Sequence, residues 1–227
     1  MARPRVLLTG FGPFPGVAEN PSAWLAATLV EQRPSPEFDG ELHARILPTE
    51  WEAAALMPRL YEALQPHLMI HFGLSERAKA LRIERSAHNR AAPRADAKGA
   101  LPLGPVIRPE GPDRFDTALP AAALAAHLKT FGLPAATSRS AGRYLCNFLY
   151  YHSLDWARRQ EGARLVLFVH IPPVSGGCGS FSQEALLRGA HETLRFVLTF
   201  AGAHKPLKTP IGPAFTRREV NLSAKEA

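Results

Sequence analysis

Along the chain, short unbroken apolar runs alternate with stretches in which apolar residues recur every three or four positions. The runs are 5–9 (RVLLT), 67–73 (HLMIHFG) and 164–170 (RLVLFVH). Their continuity suits strands covered on both faces. Residues 42–47 make a weaker strand, and AATSRS (135–140) a short edge or connecting strand. Asn20-Pro21 places an N-cap and a proline at the start of a helix over 21–32. Thr49 and Glu52 have capping-box spacing, and Met57, Leu60, Tyr61 and Leu64 follow at helical spacing. Helices are also predicted over the Ala-rich 118–130 and over 142–159. Ser180 and Gln183 form a second capping-box spacing, and Leu187, Ala190, Leu194, Val197 and Leu198 give the last helix an apolar face. Residues 74–115 have no clear period, with strand fragments and loops expected around LRIERSAHN and LPLGPVIR. Nothing periodic follows Gly202, so one domain is expected over 1–203, with 204–227 a partly ordered tail.

Strands alternating with helices imply an α/β protein with a mostly parallel, twisted sheet and helices on both sides. Functional groups then gather at the C-terminal ends of the strands.

Composition narrows the setting. The 227 residues suit one domain with a sizeable core. No stretch of about 20 apolar residues exists, so no membrane partner is expected, and the N-terminus does not read as a signal peptide. Cys146 and Cys178 are too few for a disulfide framework and lack zinc-site spacing, so a cytoplasmic, reduced protein with no metal or cofactor is the expectation. The formal charge is +7, but Lys and Arg are scattered, apart from Lys205, Lys208, Arg217 and Arg218 near the end. This reads as a solvated basic surface rather than a nucleic-acid site.

The glycine-rich LLTGFGPFPG (7–16) invites a phosphate-loop reading. Pro13 and Pro15 each remove an N–H, the glycine spacing is G-x-G-x-x-x-G, and the helix waits until Pro21. A dinucleotide loop needs free N–H groups with a helix starting at once, and no GKS or GKT follows. The loop offers two rings instead, Phe11 and Phe14, read either as caps on the core or as an apolar wall for a small ligand.

Ser140 and Gly142 suit a helix start, which puts Cys146 in its first turn or two, where partial positive charge favours a thiolate. Position alone leaves open that Cys146 is a small core residue. His170 closes the most apolar strand. A cysteine nucleophile needs such a base within hydrogen-bond reach, and Glu84, in the apolar alternation of RIERSAHN, is the acidic candidate to orient the imidazole.

Four segments together resemble the pyroglutamyl peptidase I (pyrrolidone-carboxylate peptidase) family of cysteine peptidases. LLTGFGPFPGVAENPS is similar to its T-G-F-x-P-F-x-G…N-P-S signature, and RIERSAHNR to the segment of its glutamate. SAGRYLCNFLYY is similar to its A-G-x-Y/F-x-C-N motif, and LFVHIPP to its F-x-H-x-P motif. They occur in family order over residues 6–173. The resemblance implies a three-layer α/β/α sandwich and removal of an N-terminal pyroglutamyl residue. It implies Cys146 as nucleophile, His170 as general base and acid, and Glu84 as its orienting partner. Phe11 and Phe14 would hold the lactam ring, and Phe→Ala there would hurt turnover without unfolding. Asn20 would hold the loop and cap the helix, Arg94 would sit near the reacting carbonyl, and Tyr144 and Leu145 would be pocket-side. Dimers or tetramers are implied as well.

This chain departs from the family in four places. Leu74 and Ser75 stand where a Q-A-G-G-R stretch is common. AAPRADAKG keeps only loosely the family's D-x-A-R-I-P. The loop after His170, PVSGGCGSFS, is glycine-rich, and the tail has no counterpart. Two rival readings stay open: a thiol hydrolase acting on another small acyl amide, and a non-catalytic binding protein that retains the fold.

Overall fold

The computed structural model describes residues 3–32, 38–174 and 181–204. Its elements run β1 (Arg5–Phe11), α1 (Pro21–Gln32), β2 (Glu41–Leu47), α2 (Trp51–Ala55), α3 (Met57–Leu64), β3 (Leu68–Leu74), β4 (Leu81–Glu84), β5 (Ser86–His88), β6 (Arg114–Asp116), α4 (Ala121–Thr130), β7 (Ala135–Ser138), α5 (Leu145–Arg159), β8 (Leu165–Ile171) and α6 (Gln183–His204). Six strands form one sheet in the order β2-β1-β3-β8-β4-β7, and β5 and β6 form a small antiparallel pair. Within the large sheet only the β8–β4 pairing is antiparallel.

Strand side chains alternate between faces, and the two cores separate accordingly. Val6, Leu8, Ile70, Phe72, Leu167 and Val169 pack with α1, α4 and α6. Leu7, Met69, Val166 and Phe168 pack with α2, α3 and α5. The three layers expected from the alternation are therefore present. β8 is buried along its whole length, as its unbroken apolar run implies. The same parity decides where chemistry can occur. His170 follows Val166 and Phe168 onto the α5 face, and Glu84 and Arg82 alternate with Leu81 and Ile83, which belong to the other core.

Several sequence expectations shift. The Thr49/Glu52 capping box does not form. The α2 N-cap is Glu50, with no side-chain cap bond. The Thr49 hydroxyl donates to the Gly12 carbonyl at 3.0 Å instead, and the Trp51 N–H is met from a distance by Asp96 Oδ2 at 2.9 Å. The helix behind it breaks at Leu56 because Pro58, in the first turn of α3, cannot donate to the preceding turn. LPLGPVIR forms no strand. Pro102 and Pro105 lack ladder N–H groups, and the partner of β5 is Arg114–Asp116. The helix expected over 142–159 begins at Leu145, after Gly142 turns the chain at φ 85°. Ser180 lies outside the described residues, and the α6 start is capped by Ser182 Oγ, which accepts from Ala185 N–H at 3.0 Å. The tail over 205–227 lies outside them too. Among the described residues no helix is long and apolar enough to cross a membrane.

Candidate active site

The opening glycine loop is held by its own polar groups. Asn20 Oδ1 accepts from the Ser22 N–H at 3.1 Å and caps α1, while Asn20 Nδ2 donates to the Gly12 carbonyl at 3.0 Å. The Ser22 hydroxyl accepts from the Phe11 N–H at 2.9 Å, and the Gly12 N–H reaches the Leu47 carbonyl at 2.7 Å. Gly10 allows the close approach of β1 and α1, since a Cβ there would stand 2.0 Å from the Ser22 carbonyl oxygen. Phe11 is buried in the α5-side core, and Phe14 is half-buried on a tight turn closed by paired bonds to Val17.

Cys146 is the second residue of α5 and half-buried. Tyr144, the N-cap, has no side-chain cap bond, and the first-turn N–H groups lack acceptors within the helix. The floor beneath the sulfur is Gly73, at the end of β3. A Cβ at Gly73 would lie 2.9 Å from Cys146 Sγ and 2.8 Å from the Phe168 ring. Gly73 is also the register partner of His170, so the glycine sets nucleophile and base side by side.

His170 is 8 % exposed. It donates through Nδ1 to Glu84 Oε1 at 2.7 Å, and Cys146 is the other group that acts on its charge. Burial presses its pKa down, but the charge and hydrogen bond of Cys146, followed by those of Glu84, overcome this and raise it to about 9. Glu84 is fully buried, and its Oε2 has no hydrogen-bond partner among the described residues. The Tyr150 hydroxyl donates to the Glu84 carbonyl at 3.0 Å, and the Phe168 ring lies 4.8 Å from the imidazole. The three candidates named from sequence are thus brought together as a linked Cys–His–Glu set.

The remaining candidates fall into two groups. The Arg94 guanidinium lies over the Tyr144 ring at 4.6 Å. The Tyr144 hydroxyl donates to the Ala95 carbonyl at 3.0 Å, and Trp51 Nε1 donates to the Arg94 carbonyl at 3.1 Å. Asp96 anchors this loop. Burial raises its pKa, but N–H bonds from Trp51, Ala100 and Lys98 outweigh that, so it ends below the ordinary value. Leu145, by contrast, is 1 % exposed and packs within the α5-side core.

Sequence reasoning missed two supporting residues. Gly73 was visible only as the glycine ending an apolar run. Asn147, fully buried beside the nucleophile, accepts from the His88 N–H at 2.8 Å and donates to the carbonyls of His88 at 2.8 Å and Arg90 at 3.0 Å. It joins the start of α5 to the segment that follows Glu84.

A family model described as pyroglutamyl peptidase matches residues 4–178. The chain belongs to the pyroglutamyl peptidase family. The rat pyroglutamyl-peptidase 1 is 34 % identical over 203 residues, covering 87 % of this chain and 94 % of its own. A pyrrolidone-carboxylate peptidase from Clavibacter michiganensis subsp. michiganensis is 37 % identical over 172 residues, covering 74 % and 78 %. Among solved structures, the pyrrolidone carboxyl peptidase from Thermococcus litoralis superimposes with a TM-score of 0.80 at 26 % identity, covering 92 % of this chain and all of that one. Family membership and fold therefore agree with the sequence resemblance. The Cys–His–Glu arrangement comes independently, from the Gly73–His170 register, the approach of Cys146 Sγ to Gly73 and the 2.7 Å His170–Glu84 bond.

Proposed function

We propose that this chain is a cysteine exopeptidase that removes an N-terminal pyroglutamyl residue from peptides. The observation that carries the reading is the linked Cys146–His170–Glu84 set at the C-terminal ends of β3 and β8, in a member of the pyroglutamyl peptidase family.

The Cys146 sulfur attacks the carbonyl carbon that joins pyroglutamate to the next residue. The oxyanion is met by the Cys146 N–H at the open start of α5, with Arg94 beside it. His170, held as an imidazolium by its two neighbours, protonates the leaving amine as the C–N bond breaks, and a thioester remains. Water then gives a proton to neutral His170 and its oxygen attacks the thioester; the C–S bond breaks, pyroglutamate leaves, and the Cys146 thiolate and the imidazolium are restored. Glu84 keeps Nδ1 protonated and fixes the ring plane. Phe11, Phe14 and Tyr144 wall the flat lactam. Leu145 supports this wall from within the core. A catalytic thiol suits the reducing cytoplasm, and a dimer or tetramer is the assembly expected by family resemblance.

The test is hydrolysis of pyroglutamyl-aminomethylcoumarin by the wild type and by Cys146→Ser. The wild type is expected to turn over, and the variant to lose about 1,000-fold or more while keeping its unfolding midpoint. Wild-type inactivity, or a variant as active as the parent, would refute the reading.

A further inference from the structure

His170 has a neighbour on each side at its own level of the sheet: Gly73 on β3 and Arg82 on β4. The Gly73 side lies under Cys146 and leads towards β1 and Phe11. The Arg82 side leads towards β7 and open solvent. The Arg82 side chain is 41 % exposed, and its Nη2 lies 3.6 Å from Glu84 Oε1, the oxygen that binds His170. That separation is a charge contact rather than a hydrogen bond. Arg82 Nη2 donates instead to Ser138 Oγ at 2.8 Å, which steadies the guanidinium and leaves donors unused.

Two further arginines lie close to this side along the chain. Arg139 follows Ser138 directly and Arg143 lies three residues before Cys146. Both are exposed, and neither joins an ion pair among the described residues. In the connection from β3 to β4, Glu76 is offset by Arg77 and Lys79. Glu84 is buried and faces the imidazolium.

His170 must protonate the leaving amine, so the departing peptide passes His170. With the lactam on the β1 side, the peptide leaves over β4. We propose that Arg82, flanked by Arg139, forms a carboxylate subsite on the leaving-group side of this cleft. The proposal rests on the pyroglutamyl peptidase reading and adds to it a substrate class. That class is pyroglutamyl peptides with a carboxylate in the residue after the scissile bond, either an acidic side chain or the free C-terminus of a dipeptide. The fork geometry and spare donors of the guanidinium match such a group.

The experiment compares kcat/KM for pyroglutamyl-glutamate amide and pyroglutamyl-glutamine amide, which differ essentially in one charge. The wild type is expected to favour the glutamate peptide about tenfold, a screened Coulomb effect at a half-exposed site. Arg82→Gln should bring the ratio close to one. Arg139→Gln, which does not touch Glu84, should lower the ratio by a smaller factor. Raising salt from about 0.05 to about 1 M should erode the wild-type preference, a readout available even if Arg82→Gln does not fold. If Arg82 acts only by steadying Glu84, both peptides slow equally and the ratio survives, which overturns the subsite. A wild-type ratio near one, with normal turnover of the glutamine peptide, overturns it as well and leaves the pyroglutamyl reading standing. Hydrolysis of neither peptide overturns that reading and the subsite with it.

Discussion

The same strands present two different faces. Under α1, α4 and α6 the core is mainly leucine, isoleucine, valine and alanine. Under α2, α3 and α5 it holds Trp51, Tyr61, Tyr150, Tyr151, Trp156 and Phe168, with Thr9, His71, Glu84, Asn147 and His170 buried among or beside them. The aromatic groups there spend their polar ends on partners: Tyr61 on Ser153 at 2.7 Å, Trp156 on Glu62 at 2.8 Å, Tyr151 on the Pro112 carbonyl at 2.8 Å. The aliphatic face is held mainly by apolar area, with few polar ties such as His127–Glu192 at 3.3 Å between α4 and α6, and tolerates exchange of similar side chains. The aromatic face must satisfy each buried polar atom, and each bond it makes also fixes a direction. A reactive thiol, an imidazole and a carboxylate can be aligned only on the second kind of face. Even there atoms are left over besides Glu84 Oε2: His71 bonds Thr9 through Nδ1 at 2.8 Å, its Nε2 has no partner among the described residues, and burial pushes its pKa down to about 3. It is neutral at any working pH.

The largest effect that separates the faces is expected from Leu194→Ala, in the middle of the aliphatic core and fully buried. It should cost about 2–5 kcal/mol of stability, read by denaturant unfolding, and leave kcat/KM per folded molecule unchanged. A drop in the activity of the folded fraction would break the division of labour. The converse is Gly73→Ala. The new Cβ has to displace Cys146 Sγ or the Phe168 ring, and a shift of about 1 Å at the nucleophile costs about 100-fold in kcat/KM. Normal turnover in this variant would show that the floor under the sulfur is not tight.

How much of this was legible in the sequence follows from how local each cause is. β8 and its terminal histidine could be read because seven consecutive buried positions leave a continuous apolar run. Helix α1 could be read because Asn20-Pro21 is a complete local start signal. The Thr49 capping box misled because distant partners take over: its hydroxyl turns to donate to the Gly12 carbonyl, 37 residues away, and Asp96 accepts from the Trp51 N–H instead. LPLGPVIR misled because its apolar residues alternate while its prolines forbid a ladder, and Leu101 and Leu103 stand exposed. The pairing of Glu84 with His170 spans 86 residues, and the bonds of Asn147 span 57 to 59. No local pattern encodes those: the first is nominated from the apolar alternation of RIERSAHN and reinforced by the family resemblance, and nothing in the sequence reading points to the second. The loop aromatics divide as well. Phe14 is half-buried and can be cut back cheaply, whereas Phe11 is 3 % exposed and Phe11→Ala leaves a core cavity, so only Phe14 is expected to lose turnover without loss of stability.

A smaller and sharper probe is pH. The folded pKa of His170 is raised from 6.5 to about 9. Its charged form therefore stabilises the fold fully below about 6.5, and that contribution is lost as pH rises through about 9. Leaving-group protonation needs the same charged form, so kcat/KM should fall through the same upper limb. Glu84→Gln removes one of the groups that raise this pKa, so the limb should move to lower pH. A limb that stays in place would mean Glu84 does not set the charge of the imidazole. The smallest effect is expected from Phe14→Ala: a rise in KM of about three- to tenfold with the unfolding midpoint unchanged, as for loss of one apolar contact to a small ring. An unchanged KM would remove Phe14 from the lactam wall.

The central claim, that Cys146 is the nucleophile for a pyroglutamyl carbonyl, is tested most directly by labelling with pyroglutamyl chloromethyl ketone, followed by peptide mass spectrometry and residual activity. The account predicts a thioether on Cys146, with chloride displaced, that grows in step with loss of activity and is slowed by free pyroglutamate. Loss of activity with the label on Cys178, or full activity with Cys146 labelled, would contradict it.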